Sequence, residues 1–397
     1  MKFLLLPLLA LALAAAPVLA NVAAGVNSAE FHAVCQLIQL TEGEPQLAAA
    51  TAAYDQAIQK LQDMNMSVAE DSWQDMFKNQ DGSNKPWTKR QEEAKQDPAD
   101  WAEQWPKWTA AAGRVRAAKA KADQQDKKTI LTVPDNLRQY ARTRLEAALA
   151  KVTKLRKRSD ELKEKAQKIT AQTIKARLNA AMYGTTHGRG QYQVSGAGDN
   201  HKPQAAQCDD SAEAGGQSTL AHTLLCLCLS QTADKAAKPC FPEKQLTADW
   251  AAVETNIKTA FDEVRKFCQS GAGKPISAAP IRAAVDTALA LVKVQDSHAY
   301  LGRFVATDCQ GSSNRGSCVQ YTNAATATHT KLSELNWVKE MLGAATDIDT
   351  TTAAQIENDQ AAKAIEAEVE EANLIQQELE ALHKIAQSAK PQLPATN

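Results

Sequence analysis

The sequence predicts a mostly α protein: an elongated antiparallel helical hairpin or bundle rod with disulfide-stapled, loop-rich lobes. Three observations predict it: a long run of small and apolar residues at heptad spacing, a matching apolar face near the C-terminal end, and eight cysteines, seven of which follow Gly184. The run steps by four and three through Ala141, Leu145, Ala148, Val152, Leu155, Ser159, Leu162, Ala166, Ile169, Thr173, Ala176 and Ala180, which is the pattern of a coiled-coil seam. Pro134 suits a first helical position and Gly184 a terminator. One helix is therefore expected from Pro134 to Tyr183, roughly 70 Å long at a rise of ~1.5 Å per residue.

The chain opens with Lys2, an apolar run from Phe3 to Ala16, then Pro17. Val18 and Ala20 fit the small-residue rule for signal-peptide cleavage, so residues 1–20 read as a signal peptide and the mature chain as starting at Asn21. The run is shorter than the ~20 apolar residues of a spanning helix. A helix follows from Ala29 to about Met66, with Ser28 as N-cap and Phe31, Val34, Leu37, Ile38, Tyr54, Ile58 and Leu61 as its apolar stripe. Glu42-Gly43-Glu44-Pro45 should kink or interrupt it. Between Ser72 and Trp108 stand Trp73, Trp87, Trp101, Trp105 and Trp108, separated by Asp-Gly, Lys-Pro, Asp-Pro and Trp-Pro breaks. Two readings compete, an aromatic ligand cage and a loop folded back with its tryptophans as packing anchors. Packing is preferred, because aromatic side chains dominate cores far more often than they line cages.

From Gly184 to Gly216 the chain is glycine-rich and reads as surface loop, with neither a phosphate-loop Lys-Ser/Thr pair nor a G-x-G-x-x-G between strand and helix. Helices are expected from Asp249 to Cys268, with Trp250, Val253, Ile257, Phe261 and Val264 on one face, and from Pro280 to Tyr300, with Val285, Leu289, Val292 and His298. Cys309 and Cys318 bracket eight polar or glycine residues, which a disulfide between them would close into a protruding loop. The last long element runs from Asn323 to Ser388, with an interruption expected near Gly343 and Asp347. Its Ile365, Val369, Ala372, Leu379, Leu382 and Ala386 suit packing along the first seam. Residues 21–390 thus read as one helical domain and 391–397 as a linker or tail.

The formal net charge is −1, which argues against an electrostatic grip on nucleic acid. The basic run Lys151–Arg158, interleaved further on with Asp160, Glu161 and Glu164, reads as a solvated helix face, as do Glu366, Glu368, Glu370 and Glu371. In an exported chain Cys35, Cys208, Cys226, Cys228, Cys240, Cys268, Cys309 and Cys318 supply four disulfides of open connectivity. A zinc site at His222, Cys226, Cys228 and Cys240 is disfavoured, since Cys-Leu-Cys lacks the usual ligand gap and such thiols oxidise after export. His32, His187, His201, His298, His329 and His383 are scattered, and no nucleophile, base and orienter can be selected among them. No catalysis and no cofactor are expected. Asn65-Met66-Ser67 is an N-glycosylation sequon.

A signal peptide, an early helix bearing Cys35, a long helix ending in Ala180-Ala181-Met182-Tyr183-Gly184, a glycine-rich loop, and then Cys226-Leu227-Cys228 with Cys240, Cys268, Cys309 and Cys318 together resemble the N-terminal domain of trypanosome variant surface glycoproteins, class B. The resemblance covers nearly the whole mature chain and rests on the order of elements and cysteines. It implies a homodimer standing on the outer face of the plasma membrane. Neighbouring coat molecules would pack beside it, host antibodies would meet it, and antigenic variation would exchange it. Some such relatives carry sugar on a serine of an exposed upper loop, for which Ser312, Ser313 and Ser317 are the candidates here. The family pattern continues into a cysteine-rich C-terminal domain and a tail exchanged for a glycosylphosphatidylinositol anchor. Pro391 to Asn397 lacks the ~10–20 apolar residues of such a signal. The alternative function is a coat-derived receptor or resistance factor that binds a host serum protein.

Overall fold

A computed structural model of the chain describes residues 21–47, 54–94, 97–98, 100–120, 133–184, 205–209, 219–325 and 330–388. The expected signal peptide, most of the glycine-rich segment with His187 and His201, His329, the side chains of Val253 and Ala386 and the tail lie outside the described residues. The helices are α1 (Ser28–Glu42), α2 (Asp55–Ser67), α3 (Asp71–Asp75), α4 (Trp87–Glu93), α5 (Trp101–Ala120), α6 (Arg138–Gln167), α7 (Ala171–Tyr183), α8 (Leu220–Cys228), α9 (Trp250–Arg265), α10 (Ala278–Ala290) and α11 (Asn336–Ser388). The strands are β1 (Glu44–Pro45), β2 (Pro275–Ile276), β3 (Lys293–Gln295), β4 (His298–Phe304), β5 (Gln310–Ser312) and β6 (Gly316–Tyr321). The protein is mostly α, a helical bundle with disulfide-stapled loops. Its chain divides into two compact units, one of Met1–Leu47 with Ile169–Thr350 and one of Ala48–Lys168 with Thr351–Asn397.

The second unit contains the seam. Ala141, Leu145 and Val152 of α6 are buried with Tyr54, Ile58 and Leu61 and with Ile365, Val369, Ala372, Ile375 and Leu379 of α11. Ion pairs fix the direction. Arg144 reaches Glu371 and Glu378, Lys151 reaches Glu368, and Arg158 reaches Glu357. Rising numbers on α6 meet falling numbers on α11, so the two run antiparallel. One polar layer interrupts the apolar core: the Tyr54 hydroxyl donates to Ser159 Oγ at 3.3 Å, and Ser159 Oγ donates in turn to Asn358 Oδ1. Such a layer favours one register, because any slip would leave buried polar atoms unpaired.

The single helix expected from Pro134 to Tyr183 is instead two. A 3-10 turn at Asp135–Leu137 precedes α6, α6 ends at Gln167, and α7 restarts at Ala171. Thr170 is the cause. Its hydroxyl accepts from the Thr173 amide at 3.1 Å while the Thr173 hydroxyl accepts from the Thr170 amide at 2.9 Å, a reciprocal cap that starts a new helix. The heptad steps lose phase there. Thr173 and Ala176 are exposed, and Ile174, Leu178 and Ala181 carry the buried face. Thr170→Ala is expected to lower stability by about 1 kcal/mol, read as a shift in the urea midpoint.

The segment expected as a helix from Ala29 to Met66 is also divided. Asn27, not Ser28, takes the N-cap position of α1, and after Glu42 the chain forms β1, which pairs in parallel with β2 through Glu44↔Pro275 and Pro45↔Ile276. The tryptophan stretch holds helices α3, α4 and α5 rather than a loop. Trp105 is buried and its Nε1 donates to the Lys85 carbonyl at 2.9 Å. Trp73, Trp101 and Trp108 meet edge to face with centroids 5.4–5.6 Å apart. That spacing is direct ring contact and leaves no room for a cation between the faces, so these residues are packing anchors.

In the first unit α8 is buried on every side, as a helix apolar all round must be. It shares one core with α1, α7, α9 and α10 and with Trp337, Val338 and Met341 of α11. The helix expected to reach Tyr300 stops at Ala290. Beyond it lies a four-stranded antiparallel sheet in the order β3-β4-β6-β5, whose first strands the helical reading absorbed. The last element starts at Asn336 and continues without the expected break to Ser388. Gly343 within it makes room for Arg177. A Cβ there would stand 2.9 Å from Arg177 Nη1, the guanidinium that donates to Glu340 and Asp347 at 3.1 and 2.7 Å.

Candidate functional site

The chemistry of the first unit is concentrated around its disulfides. Cys35 pairs with Cys268, Cys208 with Cys226, Cys228 with Cys240 and Cys309 with Cys318, with Cα–Cα distances of 5.1, 5.7, 5.1 and 4.8 Å. Two of the three short bridges start from α8, whose Cys226 and Cys228 take different partners. The quartet His222, Cys226, Cys228 and Cys240 is therefore the Cys228–Cys240 bridge, one half of the Cys208–Cys226 bridge and a histidine beside them. Among the described residues the sulfur and nitrogen atoms of Cys208, His222 and Cys226 come within 4.8 Å of one another, but both thiols are consumed by their mutual bond. His32, His222, His298 and His383 sit on α1, α8, β4 and α11.

His222 lies 3.7 Å from Cys208 Sγ through Nε2, and burial holds its pKa down at about 4. The sign follows from linkage. Its folded pKa lies below the unfolded value of ~6.5, so the unfolded chain binds the extra proton as pH falls, and stability present above pH ~6.5 drains away toward pH 4. Between pH 7.5 and pH 5 this group is expected to remove about 2 kcal/mol. His222→Gln should flatten that part of the profile in urea titrations at the two pH values. An unchanged slope would show that the ring is not buried in neutral form.

The segment between Cys309 and Cys318 does not protrude as a polar closed loop. It forms the β5–β6 hairpin, and Gln310↔Ser317 and Ser312↔Gly316 are paired. Ser317 has no exposed surface and its hydroxyl donates to the Leu227 carbonyl at 3.0 Å. Ser312 is buried, Ser313 is half-buried, and Asn314 and Arg315 are the exposed pair. Asn65 lies inside α2, half-buried, with Oδ1 shut off from water and without a hydrogen-bond partner.

Two features of the unit carry no sequence signature. The Asn27 amide donates to the carbonyls of Leu227 and Ser317 at 2.8 and 2.7 Å and accepts from the Arg303 amide at 2.9 Å, joining the start of α1 to α8 and the sheet. At the other end of α1, Glu42 accepts from Arg265 Nε at 2.9 Å and from the Gly271 amide at 3.0 Å, beside the Cys35–Cys268 bridge. Partners 200 or more positions apart leave no local pattern to find.

A helical bundle whose first unit is stapled by four disulfides is a domain suited to an oxidising, exported setting. The sequence matches the family described as "Trypanosomal VSG domain" over residues 8–367. The chain belongs to that family, the variant surface glycoproteins that form surface coats. It is 24% identical over 388 residues to variant surface glycoprotein ILTAT 1.23 of Trypanosoma brucei brucei, an alignment covering 94% of this chain and 69% of that protein. No helix among the described residues is long and apolar enough to cross a membrane.

Proposed function

We propose that this protein is a non-catalytic unit of a trypanosome surface coat. In this reading it is a homodimer packed among neighbouring copies. It meets host antibodies in place of the proteins beneath and is exchanged by antigenic variation. The family match over residues 8–367 is the observation that carries the proposal. The core supports it too: side chains of the kind that could act on a substrate are spent on structure, as with Ser317 on a carbonyl and Cys208 and Cys226 on each other. Antibody contact falls in this reading on exposed turns such as Asn314–Arg315. Any O-linked sugar falls on Ser313, the most open of the three serines, and an N-glycan on Asn65, each read as a mass difference after deglycosylation.

Antibodies raised against the mature chain should label live, unpermeabilised trypanosomes that express it, over the whole cell surface. Substitution of Asn314 and Arg315 should abolish recognition by a subset of them. Labelling only after permeabilisation would contradict the coat. Saturable, stoichiometric capture of one host serum protein by the purified chain would replace the shield with a receptor.

A further inference from the structure

The two long helices of the second unit carry opposite charge. α6 has ten lysines and arginines against four acidic residues, and the part of α11 that follows Thr350 has eight acidic residues against two lysines. Arg144, Lys151 and Arg158 reach across to α11. Other charges face outward. Lys154 and Lys157 on α6 are exposed, as are Asp359 and Glu366 on α11. Asp359 and Glu366 each lie two positions from an acid that reaches α6, Glu357 and Glu368, which turns them ~200° round the helix and away from α6. Among the described residues none of the four makes an ion pair, and Asp359 accepts from Gln355 Nε2 at 2.8 Å. The unit thus bears a basic ridge and an acidic ridge side by side.

An apolar line runs down the acidic ridge. Ile356, Leu374 and Ile385 are each more than half exposed, and their spacing of about five and three helical turns puts them on one side of α11, with the exposed Ala367 and Ala381 between them. α6 offers the counterpart, because its outward residues level with Leu374 are the small Thr143 and Ala147. The level follows from Arg144, which bridges to both Glu371 and Glu378, three residues before Leu374 and four after it.

We infer, on the footing of the homodimer proposed above, that two copies join through this face, with α6 of each lying on α11 of the other about a two-fold axis parallel to the helices. Both ridges belong to one chain, so the face is self-complementary. Such an axis keeps every residue at its own height. Arg158 is level with Glu357 and Lys151 with Glu368, so Lys157 stands level with the partner's Asp359 and Lys154 with the partner's Glu366, each within one residue's rise, ~1.5 Å. From Glu357 to Glu371 α11 carries six acids and one lysine, Lys363, so the field that the two lysines meet is negative. The apolar line supplies burial. The ridges set register and choice of partner, since exposed ion pairs add little affinity whereas like charges face to face repel.

The test follows the mature chain by sedimentation, with two double variants, Lys154→Glu/Lys157→Glu and Asp359→Lys/Glu366→Lys. All four positions are exposed, so thermal midpoints should hold. The unaltered chain is expected to dimerise, and each double variant alone to self-associate about tenfold more weakly. An equal mixture of the two should recover the original affinity as a heterodimer, as should a chain carrying all four substitutions. Dimers of unchanged strength in both double variants, or a mixture no tighter than its components, would overturn the face and leave the homodimer standing. A chain monomeric at every concentration would overturn both. A monomer whose thermal midpoint falls in Leu374→Gln would give the apolar line to a segment of the chain itself and overturn the inference in the same way.

Discussion

Leu145→Asp is expected to lower the stability of the second unit by about 4 kcal/mol or more, a large share of the ~5–15 kcal/mol that holds a domain together. Leu145 has no exposed surface and lies among the apolar side chains that α2, α6 and α11 bury together. Aspartate there loses the transfer free energy of the leucine and leaves a carboxylate that must stay charged without a partner or take up a proton. Leu162→Asp is the internal control. The heptad pattern ranks the two positions alike, but Leu162 is half-buried, so its replacement should cost about 1 kcal/mol or less. Urea unfolding of both variants checks the pair. Equal midpoint losses would show that the seam buries the α6 residues after Ser159 as deeply as those before it.

Joint replacement of Cys35 and Cys268 by alanine is expected to destabilise the first unit by about 4 kcal/mol, more than any other bridge. The bond spans a sequence separation of 233 residues, against 18, 12 and 9 for the others. The entropy a cross-link removes from the unfolded chain grows with the loop it closes, reaching about 4–5 kcal/mol for loops beyond a hundred residues and about 3 kcal/mol for the shortest here. The Glu42–Arg265 pair and the Lys175 ammonium, which donates to the Gly43 carbonyl at 2.7 Å, hold the same end of α1. The double variant should therefore still fold, with a lower urea midpoint. A loss no larger than that from removing Cys309–Cys318 would contradict the loop-length argument.

Helix type and the apolar faces were legible in the sequence, because periodicity reports burial. Ala141, Leu145 and Val152 on α6 and Ile365, Val369, Ala372 and Leu379 on α11 are buried as their spacing implied. What failed was punctuation. Thr170 and Thr173 look like ordinary seam and surface residues, and only their mutual capping bonds end one helix and begin another. Gly343 looks like a breaker, and only the passage of Arg177 explains it. The strands from Lys293 to Tyr321 were hidden because β4 and β6 are buried along most of their length, which erases the alternation of a half-exposed sheet. The cysteines announced four bridges, but which joins which depends on folding that brings α1 to the end of α9, and no spacing encodes that.

A non-reducing peptide map of the mature protein tests most directly the claim that this chain is a helical surface-glycoprotein domain closed by four specific bridges. The structure predicts four linked peptide pairs: Cys35 with Cys268, Cys208 with Cys226, Cys228 with Cys240, and Cys309 with Cys318. A map in which Cys35 joins any other cysteine, or in which Cys226 and Cys228 exchange partners, would contradict it.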